Sequence, residues 1–190
     1  TAKGIPFIYY GEEIGMENIE ANSIDEIMDI QGRTHYNLAL ENGKQDEEAL
    51  SIGNEHNRDK SRSPMQWNTE KYSGFSEVKP WIKVNSNYEQ LNVDSLAKNE
   101  NSILNSYKKL IALRNSEPVF QYGNYEELSI SNNCLFFIRE YKGDRIKCYF
   151  NFSEIALKIE LDPKDKILAG KTLILPNNYL IVKITGEEIN

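Results

Sequence analysis

The sequence predicts an α/β part followed by an all-β part, and three observations carry that expectation. Gly4-Ile5-Pro6-Phe7-Ile8-Tyr9-Tyr10 is short, apolar on both alternating faces and stopped by Gly11, the pattern of a strand buried on both sides of a parallel sheet. Asn101–Arg114 carries the strongest helical periodicity in the chain. Beyond Pro118 the apolar residues recur with period two, as in antiparallel strands that bury one face per sheet.

A lone parallel strand cannot be a domain, so the Gly4–Tyr10 run needs partners from upstream sequence, from a neighbouring molecule or from the rest of the chain. Thr1-Ala2-Lys3 leads straight into the apolar run without a methionine, which suggests a piece of something longer. Glu12 and Glu13 follow as a tempting acid and base pair. Adjacent side chains at a strand end point opposite ways, so structural hydrogen bonding is the expected role.

From Glu17 to Asn99 the chain is polar and irregular, with short helical pieces. Ser23-Ile24-Asp25-Glu26 has the form of a capping box, and Tyr36–Asn42 supports another turn or two before Gly43. Asp46-Glu47-Glu48 opens a further helix with acids at its positive end. A segment this long without a clear core is unusual as a domain and reads better as a long loop. In the helix that follows, Ile103, Leu104, Tyr107, Leu110, Ile111 and Arg114 form one stripe, with Lys108 and Lys109 outside it, and Pro118 limits continuation.

The period-two region pairs Ile155, Leu157, Ile159 and Leu161 against Ala156, Lys158 and Glu160, then Leu180, Val182 and Ile184 against Tyr179, Ile181 and Lys183. Turn clusters at Asp162-Pro163, Ala169-Gly170 and Pro176-Asn177-Asn178 space the strands as in a small antiparallel β-sandwich. Leu135–Tyr141 and Arg145–Asn151 read as a hairpin turning at Lys142-Gly143-Asp144. With Tyr141 opposite Arg145, Cys148 faces Ile138 and Cys134 faces Phe152. Both thiols then lie on the face of Phe136, Ile138, Ile146, Phe150 and Phe152, out of register for a disulfide and buried in the reduced state. The expected boundary places residues 1–117 in the first part and 118–190 in the second.

The 190 residues carry a formal charge of -7, with no basic run to offset it. That balance argues against nucleic acid or an anionic membrane as partner. The longest apolar stretches are about five or six residues, against the roughly 20 that span a bilayer, and no signal-peptide pattern opens the chain, so a cytoplasmic protein is expected. No cysteine or histidine spacing suits a metal, and no cofactor motif is present.

Arg58-Asp59-Lys60-Ser61-Arg62-Ser63-Pro64-Met65-Gln66-Trp67 is the stretch that points to chemistry. Arginine offers a planar fork of donors, glutamine a donor and an acceptor, and tryptophan a broad apolar face. Together they suit a sugar, with hydroxyls around its edge and C–H groups on its faces. The alternative is a surface loop pinned to its own protein by arginine–carboxylate pairs and a buried tryptophan.

This run resembles the R-D-x-x-R-T-P-M-Q-W signature of the oligo-1,6-glucosidase and α-glucosidase branch of the α-amylase superfamily, glycoside hydrolase family thirteen. Gly4–Met16 resembles the G-T-P-Y-I-Y-Q-G-E-E-I-G-M stretch at the eighth barrel strand of the same enzymes. Ser73-Gly74-Phe75, Pro80-Trp81-Ile82, Val84-Asn85 with Asn87-Tyr88, and Asn92-Val93 resemble further family motifs in the same order. Asn101–Arg114 is similar to the closing barrel helix, and trehalose-6-phosphate hydrolases are near relatives.

The resemblance implies the last strand, long active-site loop and last helix of a (β/α)8 barrel, followed by a small antiparallel β-sandwich. The implied reaction is retaining, exo-acting hydrolysis of α-glucosidic bonds in short oligosaccharides, which needs a carboxylate nucleophile and a protonated acid about 5–5.5 Å apart. In the family those groups lie on strands four, five and seven, upstream of Thr1. The chain is therefore expected to hold no catalytic residue and to be inactive alone, its partners being the oligosaccharide and the missing N-terminal barrel portion. His35 and His56 are not substitutes.

By the same resemblance Arg58 matches the arginine that reaches the terminal glucose, paired there with an upstream aspartate. Gln31, in Asp29-Ile30-Gln31, stands where relatives carry a glutamate near the leaving-group subsite, a departure that bears on linkage preference. Ser63 for threonine and Lys60 for asparagine are milder departures. Two other classes stay open: a carbohydrate-binding or protein-interaction module, with Trp67 and Trp81 as a stacking platform, and a non-catalytic structural relative.

Overall fold

The computed structural model describes residues 1–185. It divides into two compact units, one of Phe7–Lys108 and one of Thr1–Pro6 with the chain from Lys109 onward.

The Phe7–Lys108 unit is helical and looped. Phe7–Tyr10 forms no strand, and Phe7 is 91% exposed. Ile5, in the other unit, is 80% exposed and equally outside any ladder, so the strand expected over Gly4–Tyr10 is absent. A parallel strand takes its backbone partners from flanking strands, and nothing in the described chain supplies them. The run ends in a short 3-10 turn, Glu12–Ile14, between Gly11 and Gly15. Gly11 has φ 94°, and a Cβ there would lie 2.7 Å from the Met16 sulfur. Ile14 is buried beneath that turn with Met65 and Leu104.

Helices α1 (Ile30–Glu41) and α2 (Asp46–His56) pack against each other. Tyr36, Ala39 and Ala49 form their core, with Ile24, Leu50 and Ile52 around it. Two glycines set how closely the helices approach. A Cβ on Gly32 would meet Ile27 at 2.8 Å and the Gly53 carbonyl at 3.1 Å. Acids do open α2, as expected, and the Tyr36 hydroxyl donates to Asp46 among them. The capping box does not form: Ser23 makes no side-chain cap bond, and Ile24–Glu26 is a single 3-10 turn. Glu26 instead accepts from the Asn22 amide at 2.9 Å.

Helix α3 (Val93–Ala97) is capped by Asn92, whose side chain accepts from the Ser95 amide at 2.8 Å. Helix α4 (Ile103–Ser116) follows the predicted span closely. Its stripe is divided rather than continuous. Leu104 joins Ile14 and Met65, Leu110 and Leu113 pack on the β-sheet core, and Ile103 and Ile111 stay exposed.

The second unit is built on a five-stranded antiparallel sheet of β1 (Asn124–Ser131), β2 (Cys134–Tyr141), β3 (Asp144–Asn151), β7 (Asn178–Ile184) and β5 (Lys166–Gly170), in that spatial order. Helix α5 (Pro118–Tyr122) starts on Pro118, where the missing N–H is no loss, and packs Val119 and Phe120 against Phe137, Ile146, Cys148 and Ile181. On the other face Leu180 and Val182 meet Ile174, Leu157, Ile159 and Leu161. The second layer of the expected sandwich is only a ribbon of two short strands, β4 (Leu157–Lys158) and β6 (Leu173–Ile174). Ile155 lies outside it, 74% exposed.

The β2–β3 register differs from expectation by one residue. Tyr141 pairs with Asp144, leaving Lys142 (φ 54°) and Gly143 (φ 87°) as a two-residue turn with both residues left-handed, the type that matches strand twist. A slip of one moves every side chain of one strand to the other face relative to its partner. Cys148 therefore faces Phe137, Cys134 faces Asn151, and the two thiols lie on opposite faces of the sheet. Both are free, Cys148 fully buried and Cys134 partly. Burial pushes the Cys148 thiol up to about 12.

The same register brings Arg139 onto the inner face, fully buried. Its guanidinium donates to the carbonyls of Gly123 at 2.7 Å, Thr1 at 2.7 Å, Val119 at 3.2 Å and Phe120 at 3.3 Å, closing the C-terminal end of α5. Burial lowers its pKa. Arg139→Ala should therefore destabilise this unit by about 3 kcal/mol, because buried carbonyls lose their donors and a cavity opens. Urea unfolding followed by far-UV circular dichroism checks this, and an unchanged midpoint would contradict it.

Candidate functional site

The Arg58 segment is held by two buried carboxylates that support each other. After α2 the chain turns through a 3-10 stretch, Arg58–Ser61, capped by the Asn57 side chain, which accepts from the Asp59 amide at 3.0 Å. That turn points Asp59 inward, where Oδ2 accepts from the amides of Met28 at 2.7 Å and Asp29 at 2.8 Å. Asp29, immediately before α1, answers in the opposite direction. Its carboxylate accepts from the Arg58 amide at 3.1 Å, from Nε at 3.0 Å and from Nη2 at 2.5 Å.

Both aspartates are almost wholly buried, whereas the Arg58 side chain is 54% exposed. The Arg58 guanidinium holds the Asp29 carboxyl down at about 2, the arginine's own pKa rising in turn. Arg62 is the looser brace, with Nη1 3.8 Å from Asp29 Oδ1 and 3.9 Å from Asp59 Oδ1. The shorter bracing contacts therefore belong to Arg58 rather than Arg62.

Gln31 lies in the first turn of α1, two residues after Asp29, and is exposed. Its carbonyl accepts from His35 Nδ1 at 2.9 Å, and the His35 ring stacks on His56 with centroids 3.8 Å apart. One short framework thus carries Gln31 on the start of α1 and Arg58 after the end of α2. Lys60 turns away to the Glu55 carbonyl at 2.8 Å. Glu13 accepts from the Gly11 amide at 2.8 Å, the structural role expected of it. Among the described residues no group of three or more metal-ligating side chains converges.

The rest of the segment divides between inside and outside. Gln66 is fully buried and donates to Asn87 Oδ1 at 3.0 Å and to the Leu91 carbonyl at 2.5 Å, so it serves the loop rather than a ligand. Trp67 is 48% exposed and lines a cleft of about 650 Å³ with Phe75, Trp81, Arg62, Glu13 and Lys79. The backbone beneath is unusual: Tyr72, Ser73 and Gly74 are left-handed in succession, with φ of 55°, 56° and 66°. The buried Ser73 carbonyl accepts from the amides of Trp67 at 2.9 Å and Asn68 at 3.2 Å, and Ser73 Oγ donates to the Met65 carbonyl at 3.0 Å. A Cβ on Gly74 would lie 2.5 Å from the Asn68 side chain. Sequence reasoning missed Asp29 and Asp59 as anchors; the available signal was Arg58 and Arg62, four residues apart, on either side of Asp59.

The sequence profile described as alpha amylase, catalytic domain, matches residues 1–123, well over half of the chain. The chain belongs to the alpha-amylase catalytic-domain family. An oligo-1,6-glucosidase of Bacillus cereus is 37% identical to it over 179 residues, 93% of this chain and 32% of that protein. A trehalose-6-phosphate hydrolase of Escherichia coli is 36% identical over 152 residues, 80% of this chain and 28% of that protein. Among solved structures, trehalose-6-phosphate hydrolase of Bacillus licheniformis aligns with a TM-score of 0.80 at 27% identity, covering 95% of this chain and 36% of that one. The isomaltulose synthase of Protaminobacter rubrum aligns at 0.79 and 29%, covering 97% and 36%. The chain therefore spans about a third of the length of these alpha-amylase family relatives. No helix among its described residues is long and apolar enough to cross a membrane.

The Asp29 pairing has a definite pH consequence. A carboxyl lowered from 3.8 to about 2 on folding contributes stability that is complete above the unfolded value and is lost as pH falls through that interval. Stability measured from pH 5 down to pH 2 should drop in this window, and Asp29→Asn should be less stable at pH 5 yet show a flatter acid slope. An equally steep slope in the variant would remove Asp29 from the account.

Proposed function

We propose that this chain is the C-terminal portion of a retaining, exo-acting α-glucosidase that hydrolyses short oligosaccharides in the cytoplasm. In this reading residues 1–117 close the catalytic (β/α)8 barrel and residues 118–190 form its C-terminal β domain. The observation that carries it is Arg58, half exposed in the turn after α2 while one edge of its guanidinium is fixed on a buried carboxylate. A donor fork held this way meets a sugar hydroxyl without first having to be ordered. Family membership and the oligo-1,6-glucosidase and trehalose-6-phosphate hydrolase relatives support glucosides as the substrate class.

The division of labour follows from the chemistry. Glycosyl transfer needs two carboxyl groups flanking the anomeric carbon, one to attack and one to protonate the leaving oxygen. Glu13 is occupied by the Gly11 amide, and Asp29 and Asp59 are buried acceptors for amides and arginine, so none is free to flank a substrate bond. In this reading those two groups lie in the upstream portion, as the family resemblance implies. Arg58 would donate to the non-reducing-end glucose, and Gln31 would meet the leaving-group side as a neutral amide. The chain alone should therefore not turn over a nitrophenyl α-glucoside. Steady turnover by homogeneous 190-residue protein, abolished by a substitution within it, would overturn this.

In the complete enzyme Arg58→Ala should lower kcat/KM by about 10- to 150-fold, the range of one charged hydrogen bond strengthened in the transition state. Because Arg58 also holds Asp29, the variant should melt early as well, so kinetics are measured well below the transition. Arg62→Ala, whose contacts are longer, should keep near-normal kcat/KM and melt with a smaller shift. An Arg58→Ala enzyme that melts early yet retains its kcat/KM at low temperature would leave Arg58 as a brace only.

A further inference from the structure

The two edges of the five-stranded sheet are guarded unequally. An edge strand presents unpaired backbone groups, and bulges, lysines and prolines are what keep it from pairing with another chain. β5 has such protection: a bulge interrupts it between Ile167 and Ala169, and Lys166 stands at its start. β1 is interrupted only near its beginning, between Tyr125 and Glu127, where the bulged Glu126 turns to Arg145. That leaves five regular residues, Glu127–Ser131, without a lysine or proline, and all five are exposed.

The hairpin decides which of their backbone groups are open. β1 and β2 join through Asn132 (φ 49°) and Asn133 (φ 56°), a two-residue turn that closes on the pair Ser131 and Cys134. Such a turn closes on a hydrogen-bonded pair, so Ser131, Ser129 and Glu127 aim their amides and carbonyls at β2. Leu128 and Ile130 aim theirs outward, where no strand lies among the described residues. Their side chains share the sheet face of Phe137 and Leu135, the residues opposite them, and are 60% and 76% exposed.

We propose that β1 pairs antiparallel with β1 of a second copy of this chain, about a two-fold axis through Ser129. The regular run sets that centre, since Ser129 is its middle residue. Leu128 then lies opposite the partner's Ile130, the two exchange both backbone bonds, and the symmetry repeats the pair. Apolar side chains meet on one face. On the other, Glu127 meets the partner's Ser131 rather than a second glutamate. Moving the register by two residues toward the bulge would set Ile130 against Glu126, which is already engaged with Arg145. Pairing β1 with β5 of another copy would meet the β5 bulge after two residues.

A contact of one strand is smaller than a standard interface, so the dimer should be weak, and sedimentation velocity of this chain from about 5 to 500 µM should show monomer giving way to dimer. Ile130→Pro removes an outward amide while sparing the bonds to β2, and Ile130→Lys brings a charge onto the edge. Each should hold the chain monomeric across that range with the parent circular dichroism, and Ile130→Lys decides should Ile130→Pro lose the parent spectrum. Register is tested in a Cys134→Ser background, Cys148 being buried. Directly opposed residues of a non-bonded pair have Cα atoms about 4.5 Å apart, within disulfide reach, so with oxidised glutathione Ser129→Cys should give a covalent dimer and Ser131→Cys should not.

Monomer at every concentration would overturn the proposal. So would a dimer that Ile130→Lys leaves intact, or equal cross-linking through Ser129→Cys and Ser131→Cys. Growth past the dimer into open-ended assemblies, which a closed two-fold contact does not produce, would overturn it too. None of these readouts involves catalysis, so failure here is distinct from failure of the α-glucosidase reading, which Arg58→Ala kinetics in the complete enzyme decide.

Discussion

The helical unit depends on two buried carboxylates, Asp29 and Asp59, that cannot be satisfied separately. An ionised carboxylate removed from water is tolerated only with several good donors. Asp59 obtains amides from the residues that lead into α1, and Asp29 obtains an amide and a guanidinium from the residues that leave α2. Each acid thus fastens the other's segment. The Gly32 and Gly53 contact brings the helices close enough for this exchange, and Tyr36 with Asp46 closes the far end of the pair. Removing either acid would leave unpaired amides on one side and a loosened arginine on the other.

The β unit answers a comparable problem with the opposite charge. Arg139 is buried with no carboxylate partner among the described residues, its fork directed instead at backbone carbonyls around the end of α5. Carbonyls at a helix C-terminus carry partial negative charge, so a cation there is favoured. The planar guanidinium reaches several acceptors at once, which a lysine ammonium on a flexible stem would do less well. Arg114 does the same for Ala2 and Gly4, donating at 3.1 Å and 2.5 Å. In both units, then, arginine geometry rather than ion-pair number fixes irregular backbone.

What the sequence makes legible follows from how local each signal is. The helix over Ile103–Ser116, the strands after Pro118 and the acidic start of α2 rest on periodicity or short-range chemistry, and they are present. The Gly4–Tyr10 strand rests on partners that local sequence cannot supply, and it does not form here. The β2–β3 register turned on whether Lys142 could adopt a left-handed conformation. Reading three turn residues instead of two moved both cysteines to one face and hid the burial of Arg139. In the Arg58 run, Gln66 has the same donor and acceptor whether it serves a ligand or Leu91, and only burial distinguishes them.

The bracing role of Arg58 is compatible with the proposed substrate role because a guanidinium has two edges. Nε and Nη2 face Asp29, and the side chain remains more than half exposed. Fixing one edge lowers the conformational entropy that a long side chain would otherwise lose on meeting a ligand. It also couples recognition to fold: what holds Asn57, Asp59 and Asp29 in place also aims Arg58. Gln31 projects from the first turn of the helix that Asp29 precedes, so the framework sets its position as well. In the proposed function, a change in Gln31 would act on the leaving-group side without disturbing Arg58, whose partner is Asp29.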